Sequence, residues 1–366
     1  MRILVIFSSS ELGGAERSLT RMARESSEVV QYDLATLDGE GPWTEWVREL
    51  GIQPLVLGER SQGLGHGRFG VHALCRLVSL VRRNRYSAVY VIGLRASIAL
   101  RFLKPWLAGA KLVHGIRWNP DSDSRLDRFF RLTERLTHRL VDAWITNSTV
   151  AKQTLVSRCG ISAERIFVIY NGLASLPADV PPLTERPMEV LTVANLNRRK
   201  GHREYLQVVR EVLKTVPEAK FVFVGRDDMN GEIQSAIEDA GLYGHVYYEG
   251  FQANVSSWFS RARLMVLPSL WGEGCPTSVL EAFSYGVPVV AYSIDGIPEL
   301  IDNGVDGVAV SPNKWEELAS IIVHVLQDPV RAENMGMAGR EKVASRFTLA
   351  RCADEHAQTF QQLGLS

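Results

Sequence analysis

The sequence predicts an α/β protein made of two doubly wound domains of similar size. Short apolar runs alternate with longer stretches of helical periodicity, which is typical of a parallel sheet covered by helices on both faces. The alternation stops in a segment rich in proline and small residues, 171–189, and then resumes. A length of 366 residues also suits two domains better than one. We therefore expect domains over residues 1–180 and 187–345.

The individual elements follow from the apolar pattern. Short continuous apolar runs predict buried strands, and apolar residues that recur every three or four positions predict helices. In the first half, we predict a helix over 71–83 and strands over 2–7, 88–92, 111–116 and 143–148. In the second half, we predict helices over 201–216, 231–241, 277–285 and 314–327, and strands over 189–196, 220–225, 246–250, 263–269, 288–292 and 307–310.

The charge is balanced overall but not along the chain. A formal net charge of zero argues against a nucleic-acid-binding protein. Residues 60–120 nevertheless contain eleven Lys and Arg and no Asp or Glu. Such a stretch favours an anionic partner, with a solvated basic surface as the alternative. A polyanion-binding module would explain this stretch, but it would not explain the motifs of the second half.

The cysteines and the apolar runs predict a cytoplasmic protein. Cys75, Cys159, Cys275 and Cys352 are widely separated, as expected for free thiols in a reducing compartment. The first apolar run is too short for the core of a signal peptide. No run approaches the length of about 18 apolar residues that spans a bilayer. Any membrane contact is therefore expected to be peripheral.

The loops that follow strands are the candidate binding loops, because open α/β sheets bind ligands at the carboxyl ends of their strands. After the first strand, Gly13 and Gly14 in "SSELGGAER" allow backbone amides to approach an anion at the start of a helix. The spacing is not G-x-G-x-x-G, so a dinucleotide is a poor fit. A purely structural glycine pair is an equal alternative.

Two further loops carry basic or titratable groups. In "VANLNRRKGH" (193–202), the cations Arg198, Arg199 and Lys200 follow a strand and suit a diphosphate, with a solvated charge run as the alternative. His114 ends a predicted strand, which makes it a candidate site residue or else a satisfied core histidine. Its neighbour Arg117 is a candidate phosphate ligand.

The segment "WGEGCPTSVLEAFSYGVPVV" (271–290) contains two carboxylates on either side of a predicted helix start. The amides of Thr277 and Ser278 would point toward an anion at the helix N-terminus. Glu281 follows one turn later, and Glu273 lies in the loop before the helix. Carboxylates accept hydrogen bonds from sugar hydroxyls, so the pair could hold the two ends of one ligand.

These motifs resemble glycosyltransferase family four. The resemblance rests on Glu273-x7-Glu281 with "AFSYGVPVVAYSIDGIPELIDNGVDGVAV" after it, and on "VIYNGL" (168–173), "NLNRRKG" and "GGAE". It spans nearly the whole chain and is strongest over 265–310. It implies a GT-B fold, in which two Rossmann-like doubly wound domains face a central cleft. It also implies a retaining transferase that uses a nucleotide-sugar donor and needs no metal or cofactor.

The resemblance also implies roles for particular residues. Lys200 would stabilise the leaving diphosphate, Glu273 would bind hydroxyls of the transferred sugar, and His114 would lie beside that sugar. Glu281 would bind the donor ribose, and Glu299 would shape the nearby loop. The full set expected to contact the donor comprises Gly13, Gly14, Asn195, Arg198, Arg199, Gly274, Cys275, Thr277, Ser278 and Glu281.

Two departures from the family pattern stand out. Ala194-Asn195-Leu196 replaces the usual Gly-Arg-Leu, so a phosphate-binding arginine is missing and either Arg198 or Arg199 is expected to substitute. Pro276 stands where the family has glycine and supplies no amide hydrogen to the sugar.

Together these features predict transfer of a hexose to a hydroxyl of a glycan or lipid-linked acceptor, in cell-surface polysaccharide or glycolipid synthesis. The acceptor would bind the first domain, where the basic residues 60–120 would face an anionic membrane. The last helical stretch, 346–366, is expected to return to that domain, as it does in this fold. A nucleotide-sugar epimerase and a non-catalytic carbohydrate-binding scaffold remain alternatives.

The D-x-D at Asp121–Asp123 has a metal-binding and a structural interpretation. We favour the structural one, a helix start capped by Ser124 with Asp127.

Overall fold

The computed structural model describes residues 1–25, 29–59 and 69–365, which divide into two compact units. The first unit comprises Met1–Ala174 and the C-terminal segment from Leu349, and the second comprises Ser175–Thr348. The dividing point lies before residue 180 because the linker is bonded into the second unit. For example, the Leu183 amide donates to the Glu333 carboxylate at 2.6 Å.

The strands of the first unit form one parallel sheet. Within the described residues there are seven, in the spatial order β3-β2-β1-β4-β5-β6-β7. Their bounds are β1 Arg2–Phe7, β2 Gln31–Thr36, β3 Leu55–Val56, β4 Ala88–Ile92, β5 Lys111–Ile116, β6 Ala143–Thr146 and β7 Ile166–Val168. The chain order reverses beside β1, where Ile3 is paired with Tyr32 on one side and with Ala88 on the other.

Helices cover both faces of this sheet. Their bounds are α1 Gly14–Arg24, α2 Pro42–Glu49, α3 Val71–Asn84, α4 Leu94–Leu103, α5 Arg125–Thr137 and α6 Thr149–Cys159. Alternate residues of β1 point to opposite faces, as the period of a strand requires. Ile6 packs with residues of α3 to α6, whereas Phe7 packs with residues of α1 and α2. The doubly wound architecture predicted for this half is therefore confirmed.

The second unit repeats the architecture with six strands in its described residues, all of them parallel, in the order β10-β9-β8-β11-β12-β13. The strands are β8 Glu189–Val193, β9 Lys220–Val224, β10 Val246–Tyr248, β11 Leu264–Leu267, β12 Val289–Tyr292 and β13 Gly307–Val310. The helices are α7 His202–Leu213, α8 Glu232–Asp239, α9 Ser256–Arg261, α10 Thr277–Ser284, α11 Trp315–Gln327 and α12 Pro329–Arg346. Here the chain order reverses between β8 and β11.

The last helix, α13 (Leu349–Gln362), belongs to the first unit. The Leu349 amide donates to the Leu173 carbonyl at 2.8 Å. Phe360 is fully buried, and its ring meets those of Tyr32 and Tyr90 edge-on at 6.3 and 6.0 Å. The chain therefore returns to the first sheet after completing the second, at a break near Phe347.

Every predicted strand and helix is present, although several elements, some as long as the 18-residue helix α12, escaped prediction. One of these is β2, whose sequence QYDLAT mixes polar and apolar residues because only its second half is buried.

The predicted helix cap is also present, since the Asp127 amide donates to Ser124 Oγ at 3.1 Å. The Asp127 carboxylate accepts from the Ser122 amide, two residues before the amide that it would bind in a capping box. Asp121 is paired with Arg158 at 3.2 Å.

No helix in the described ranges combines the length and apolar character needed to cross a bilayer.

Candidate functional site

The candidate site of the second unit lies where the strand order reverses, at the carboxyl ends of β8 and β11. Helices that follow adjacent strands diverge at such a reversal, and a crevice opens between the two loops. The loop after β8 is 194–201, and the loop after β11 is 268–276. Both were singled out from the sequence as binding loops.

The two loops are joined through their backbones. The Leu270 amide donates to the Arg199 carbonyl at 2.7 Å, and Arg199 Nη1 donates to the Gly272 carbonyl at 2.9 Å. Gly201 has φ +68°, and a Cβ there would lie 2.2 Å from the Pro268 carbonyl oxygen. Only glycine satisfies both the backbone angle and the close approach. The close approach of the loops thus depends on this one residue.

A buried ion pair connects the same two loops. Lys200 Nζ donates to Glu273 Oε1, and the side chains are only 12% and 6% exposed. Two of the three residues predicted to be catalytic are therefore in direct contact. Their contact places an ammonium and a carboxylate together at the carboxyl edge of the sheet.

Burial and neighbouring charges together set the protonation of this pair. Loss of solvent lowers the pKa of Lys200, and the Glu273 carboxylate only partly opposes that effect. Burial alone would raise the pKa of Glu273, but the charges of Lys200 and Arg199 outweigh it and hold this pKa below its usual value. The carboxylate is thus ionised and can only accept hydrogen bonds.

The remaining residues of the first loop differ in exposure. Arg198 is exposed, whereas Arg199 is half-buried and holds the second loop as described above. Asn195 Oδ1 accepts from the Arg226 amide at 3.2 Å. Of the two arginines proposed to replace the missing family arginine, Arg198 therefore has the freer position at the loop surface.

Helix α10 presents its N-terminus directly after the second loop. It begins at Thr277, and Pro276 before it has no side-chain group that could cap the helix. Thr277, Ser278 and Glu281 are half-buried. Two more predicted donor ligands, Gly274 and Cys275, are buried in the loop before the helix.

Asp295 is a residue of this site that sequence reasoning missed. It follows β12, and its Oδ2 accepts from the amides of Gly272 and Glu273 at 2.6 and 3.1 Å. Its backbone has φ +46°, which is uncommon outside glycine and is best tolerated by Asp and Asn. Glu299, which was predicted to shape the nearby loop, ends the short helical turn Ile297–Glu299. The sequence signal that could have revealed Asp295 is its place before Gly296 in "SIDGIPEL", where a turn with a positive φ is expected.

His202, the first residue of α7, is a second missed neighbour. It is 1% exposed, its ring meets Phe223 edge-on at 5.2 Å, and neither ring nitrogen has a hydrogen-bond partner within the described structure. Burial, with a smaller contribution from the Lys200 charge, lowers its pKa to about 4. It is therefore a neutral ring beside the ion pair.

His114 does not end its strand as predicted but is the fourth residue of β5 and is fully buried. Its Nδ1 lies 3.1 Å from Glu134 Oε1 and 3.1 Å from Arg101 Nη2, and Arg101 is also paired with Glu134. Burial lowers the pKa of His114. The structure thus places it in a buried polar cluster between β5, α4 and α5, in which its Nδ1 is paired but its Nε2 has no hydrogen-bond partner within the described structure.

Arg117 directly follows β5 and lies at the carboxyl edge of the first sheet. Its Nη2 donates to Asn171 Oδ1 and lies 3.3 Å from Ser18 Oγ. Ser18 donates to the same oxygen at 2.9 Å. The guanidinium therefore joins α1, which begins at Gly14 with Gly13 as its N-cap residue, to the loops after β5 and β7.

In the described part of the basic stretch 60–120, the Lys and Arg side chains lie in different environments. Its beginning, 60–68, lies outside the described residues. Arg101 is fully buried, and Lys104 is paired with Asp142 at 2.9 Å. Arg101 therefore cannot face a membrane as expected for the whole stretch, because a run of one sign in sequence does not exclude acidic partners from elsewhere in the fold.

Among the described residues, no group of three or more His, Cys, Asp or Glu side chains is arranged to hold a metal ion. The positive groups near α10 are instead side-chain cations and backbone amides. This arrangement can bind a diphosphate beside a carboxylate that accepts from hydroxyl groups.

Comparison with known families accounts for nearly the whole chain. The family described as "Glycosyltransferase Family 4" matches residues 12–174, and that described as "Glycosyl transferases group 1" matches residues 179–342. The two matches meet near the division between the two units.

Two curated relatives illustrate the similarity. An alpha-D-kanosaminyltransferase of Streptomyces kanamyceticus is 28% identical over 50% of this chain and 47% of its own length. A UDP-Gal:alpha-D-GlcNAc-diphosphoundecaprenol alpha-1,3-galactosyltransferase of Escherichia coli is 22% identical over 77% of each chain. The chain spans about half the length of the first curated relatives it matches.

Solved structures confirm the fold. The structure of Anabaena Alr3699/HepE in complex with UDP-glucose has a TM-score of 0.83 at 21% identity and covers 99% of this chain and 100% of its own. A sucrose-phosphate synthase from Thermosynechococcus elongatus has a TM-score of 0.78 at 19% identity, covering 100% and 99%. The chain has the two-domain GT-B fold that the sequence predicts.

The neutral state of His202 predicts that stability falls in mild acid. Its pKa is about 6.5 in the unfolded chain and about 4 in the folded one, so the unfolded state binds more protons between these values. The stabilisation is complete above about pH 6.5 and is lost as the pH falls toward 4, by a total on the order of 3 kcal/mol. The check is the denaturant midpoint as a function of pH for wild type, His202→Phe and the exposed control His72→Gln. Of these three proteins, only His202→Phe should show a shallower slope, with buried His356, whose pKa is lowered to about 3, still contributing to what remains. An unchanged slope in that variant would contradict the assignment.

The contacts of Asp295 predict a specific loss of stability in Asp295→Ala. That change leaves two amides of buried residues without their acceptor, whereas Asp295→Asn keeps an amide oxygen in place. The matched control is Asn313→Ala, which introduces alanine at φ +65° on an exposed position of the same unit. Denaturant unfolding should show Asp295→Ala to be less stable than this control by about 1–3 kcal/mol, with Asp295→Asn in between. If the two alanine variants lost the same free energy of unfolding, backbone strain alone would explain the effect.

Proposed function

The chain belongs to glycosyltransferase family 4, and from its site we propose that it transfers a hexose from a nucleoside-diphosphate sugar to a hydroxyl of a glycan or lipid-linked acceptor. We further propose that the anomeric configuration is retained and that neither metal nor cofactor takes part.

The observation that carries this proposal is the buried Lys200–Glu273 pair beside the N-terminus of α10. The groups that would meet a diphosphate are positive: Lys200, a neighbouring arginine and the first amides of α10. The group that would meet the sugar is an ionised, buried carboxylate. A donor that is anionic at one end and rich in hydroxyls at the other matches both sets of groups.

Each residue has a defined part in donor binding. Glu273 accepts from hydroxyls of the transferred sugar, and Glu281, one turn into α10, accepts from the ribose. Arg198 is the better placed substitute for the missing family arginine, because Arg199 already holds the Gly272 carbonyl. Asp295 contacts no substrate in this scheme. It positions Glu273 by holding the backbone amides of the loop.

The transfer step is a substitution at the anomeric carbon. The bond from that carbon to the diphosphate oxygen breaks, and a bond to the acceptor oxygen forms on the same face of the sugar. The departing diphosphate takes the proton of the acceptor hydroxyl and leaves as the nucleoside diphosphate. Lys200, Arg198 and the amides near Thr277 stabilise the charge that develops on that oxygen. These positive groups would stabilise the leaving diphosphate in the way that a divalent cation does in metal-dependent transferases.

The first unit has a supporting role in this scheme. We propose that it binds the acceptor at the carboxyl edge of its sheet, near Arg117 and the Gly13–Gly14 loop. Because His114 is fully buried, we assign it the positioning of β5 through Glu134 and Arg101, in place of direct contact with the sugar.

The biological setting is inferred from the relatives. One relative is named an amylovoran biosynthesis glycosyltransferase, and another is named a galactosyltransferase for alpha-D-GlcNAc-diphosphoundecaprenol. UDP is the nucleotide in the bound complexes of Alr3699/HepE. We propose a related reaction for this chain, on the cytoplasmic side of a membrane.

The experiment that tests the function is a panel of nucleotide sugars with simple and lipid-linked acceptors. We expect one UDP-sugar to be consumed with formation of a product that keeps the donor's anomeric configuration by NMR. The rate should be unchanged by EDTA. Inversion or metal dependence would overturn the mechanism, and conversion of the donor without an acceptor would indicate an epimerase. Absence of any donor binding would favour a non-catalytic scaffold.

Variants of the ion pair separate chemistry from folding. Lys200→Met should lower kcat roughly 100- to 1,000-fold, because a group that stabilises the leaving diphosphate is lost. It also leaves a buried carboxylate unpaired and should destabilise the unit. In Lys200→Met/Glu273→Gln neither charge remains, so stability should recover while activity stays low.

The exposed control Lys214→Met should leave both quantities unchanged. Recovery of activity together with stability in the double variant would show that the pair is only structural.

A further inference from the structure

Helix α5 and the turn after it carry an exposed apolar stripe. The stripe consists of Leu126, Phe129, Leu132, Leu136 and Leu140, which are 37–72% exposed. At 100° per residue the four that lie on α5 itself fall within an arc of roughly 120° on one side of the helix. Scattered apolar residues on a surface are ordinary, but a contiguous helical stripe marks an interaction site.

The opposite side of α5 is the one that packs on the first sheet. Phe130 is fully buried among the core residues of that face, and Glu134 is fully buried in the cluster with Arg101. The stripe is therefore not the side by which the helix is held in the fold. Its residues add nothing to the core, so their apolar character is not explained by folding.

The exposed charges along α5 are all positive. Arg125, Arg128, Arg135 and Arg139 are exposed beside the stripe. The acidic residues of the helix are both buried, Asp127 at 4% and Glu134 at 0% exposure. The segment just before the helix carries two exposed carboxylates, Asp121, which is paired with Arg158, and Asp123.

The adjoining segment extends the same chemistry. Arg101 of α4 donates to Thr137 at 2.6 Å and so fixes the end of α4 beside the end of α5. Phe102 and Trp106, which follow it, are 61% and 50% exposed. Tryptophan and arginine are both suited to the interface of a bilayer, where an apolar body and a polar or charged end are accommodated together.

We propose that the stripe and its arginines form a docking surface for an anionic lipid bilayer, with α5 lying in the plane of the interface. Leucine and phenylalanine would enter the boundary of the acyl chains, and the arginines would contact anionic headgroups. A second copy of the chain fits less well, because two-fold pairing through the stripe would set one row of arginines beside the other. A lipid-linked acceptor would be reached from this surface if the transferase activity proposed above holds.

The test is co-sedimentation with phosphatidylcholine vesicles that contain or lack phosphatidylglycerol. Wild type should bind the anionic vesicles, and bind them less at high salt. Phe129→Ser/Leu136→Ser should reduce the partition coefficient roughly tenfold or more. Arg128→Gln/Arg135→Gln should reduce it roughly tenfold on anionic vesicles alone.

Matched controls lie in the second unit. Tyr243→Ser removes an apolar side chain that is 85% exposed, and Lys214→Gln removes an exposed cation. Both should bind as wild type does. Because every changed residue is exposed, a thermal transition equal to that of wild type is expected in each variant. Should the serine pair unfold, Leu132→Ser supplies the same comparison.

Three results would overturn the proposal. These are equally weak binding to both kinds of vesicle, equal losses in the controls, and a stripe variant that turns a dimer into a monomer without affecting vesicle binding. The assay contains no sugar donor, so its outcome is separate from the test of transferase activity.

Discussion

The site depends on a single buried ion pair, that between Lys200 and Glu273. Removing two charges from water is costly, and a buried pair rarely stabilises a protein as much as apolar side chains of the same size would. Its presence at a strand reversal is therefore better explained by chemistry than by stability. The ammonium and the carboxylate lie on two different loops, so their contact also fixes the distance between the group that we propose for the phosphate and the group that we propose for the sugar.

The surrounding backbone serves that contact. Gly201 lets the first loop approach the end of β11, and the Arg199 side chain and backbone bind the second loop. Asp295 accepts from the second loop on the side of β12. Gly201 and Asp295 have left-handed backbone conformations, and the contacts around them hold the backbone in that conformation. Preorganised cations and amides of this kind need little rearrangement when charge develops on a leaving group.

The two units treat charge differently. In the second, the charged pair lies at the carboxyl edge of the sheet, which is where open α/β sheets bind ligands. In the first, Arg101, His114 and Glu134 form a charged cluster sealed between the sheet and its helices, while the arginines of α5 remain outside beside exposed leucines. Basic residues that are neighbours in sequence therefore do different things. Arg101 belongs to the core, whereas the arginines of α5 make the surface around them positively charged.

The sequence by itself determined the fold class, most of the strands, several of the helices, and the loops at 193–202 and 268–276, because periodicity and glycine positions are local properties. Only the tertiary structure decided that Lys200 meets Glu273, that Asp295 holds that loop, and that His114 is enclosed. Each of these depends on residues far apart in the chain, brought together by the order of the strands. The exposed stripe of α5 was also hidden in the sequence, because amphipathic spacing does not reveal which face of a helix the core will cover.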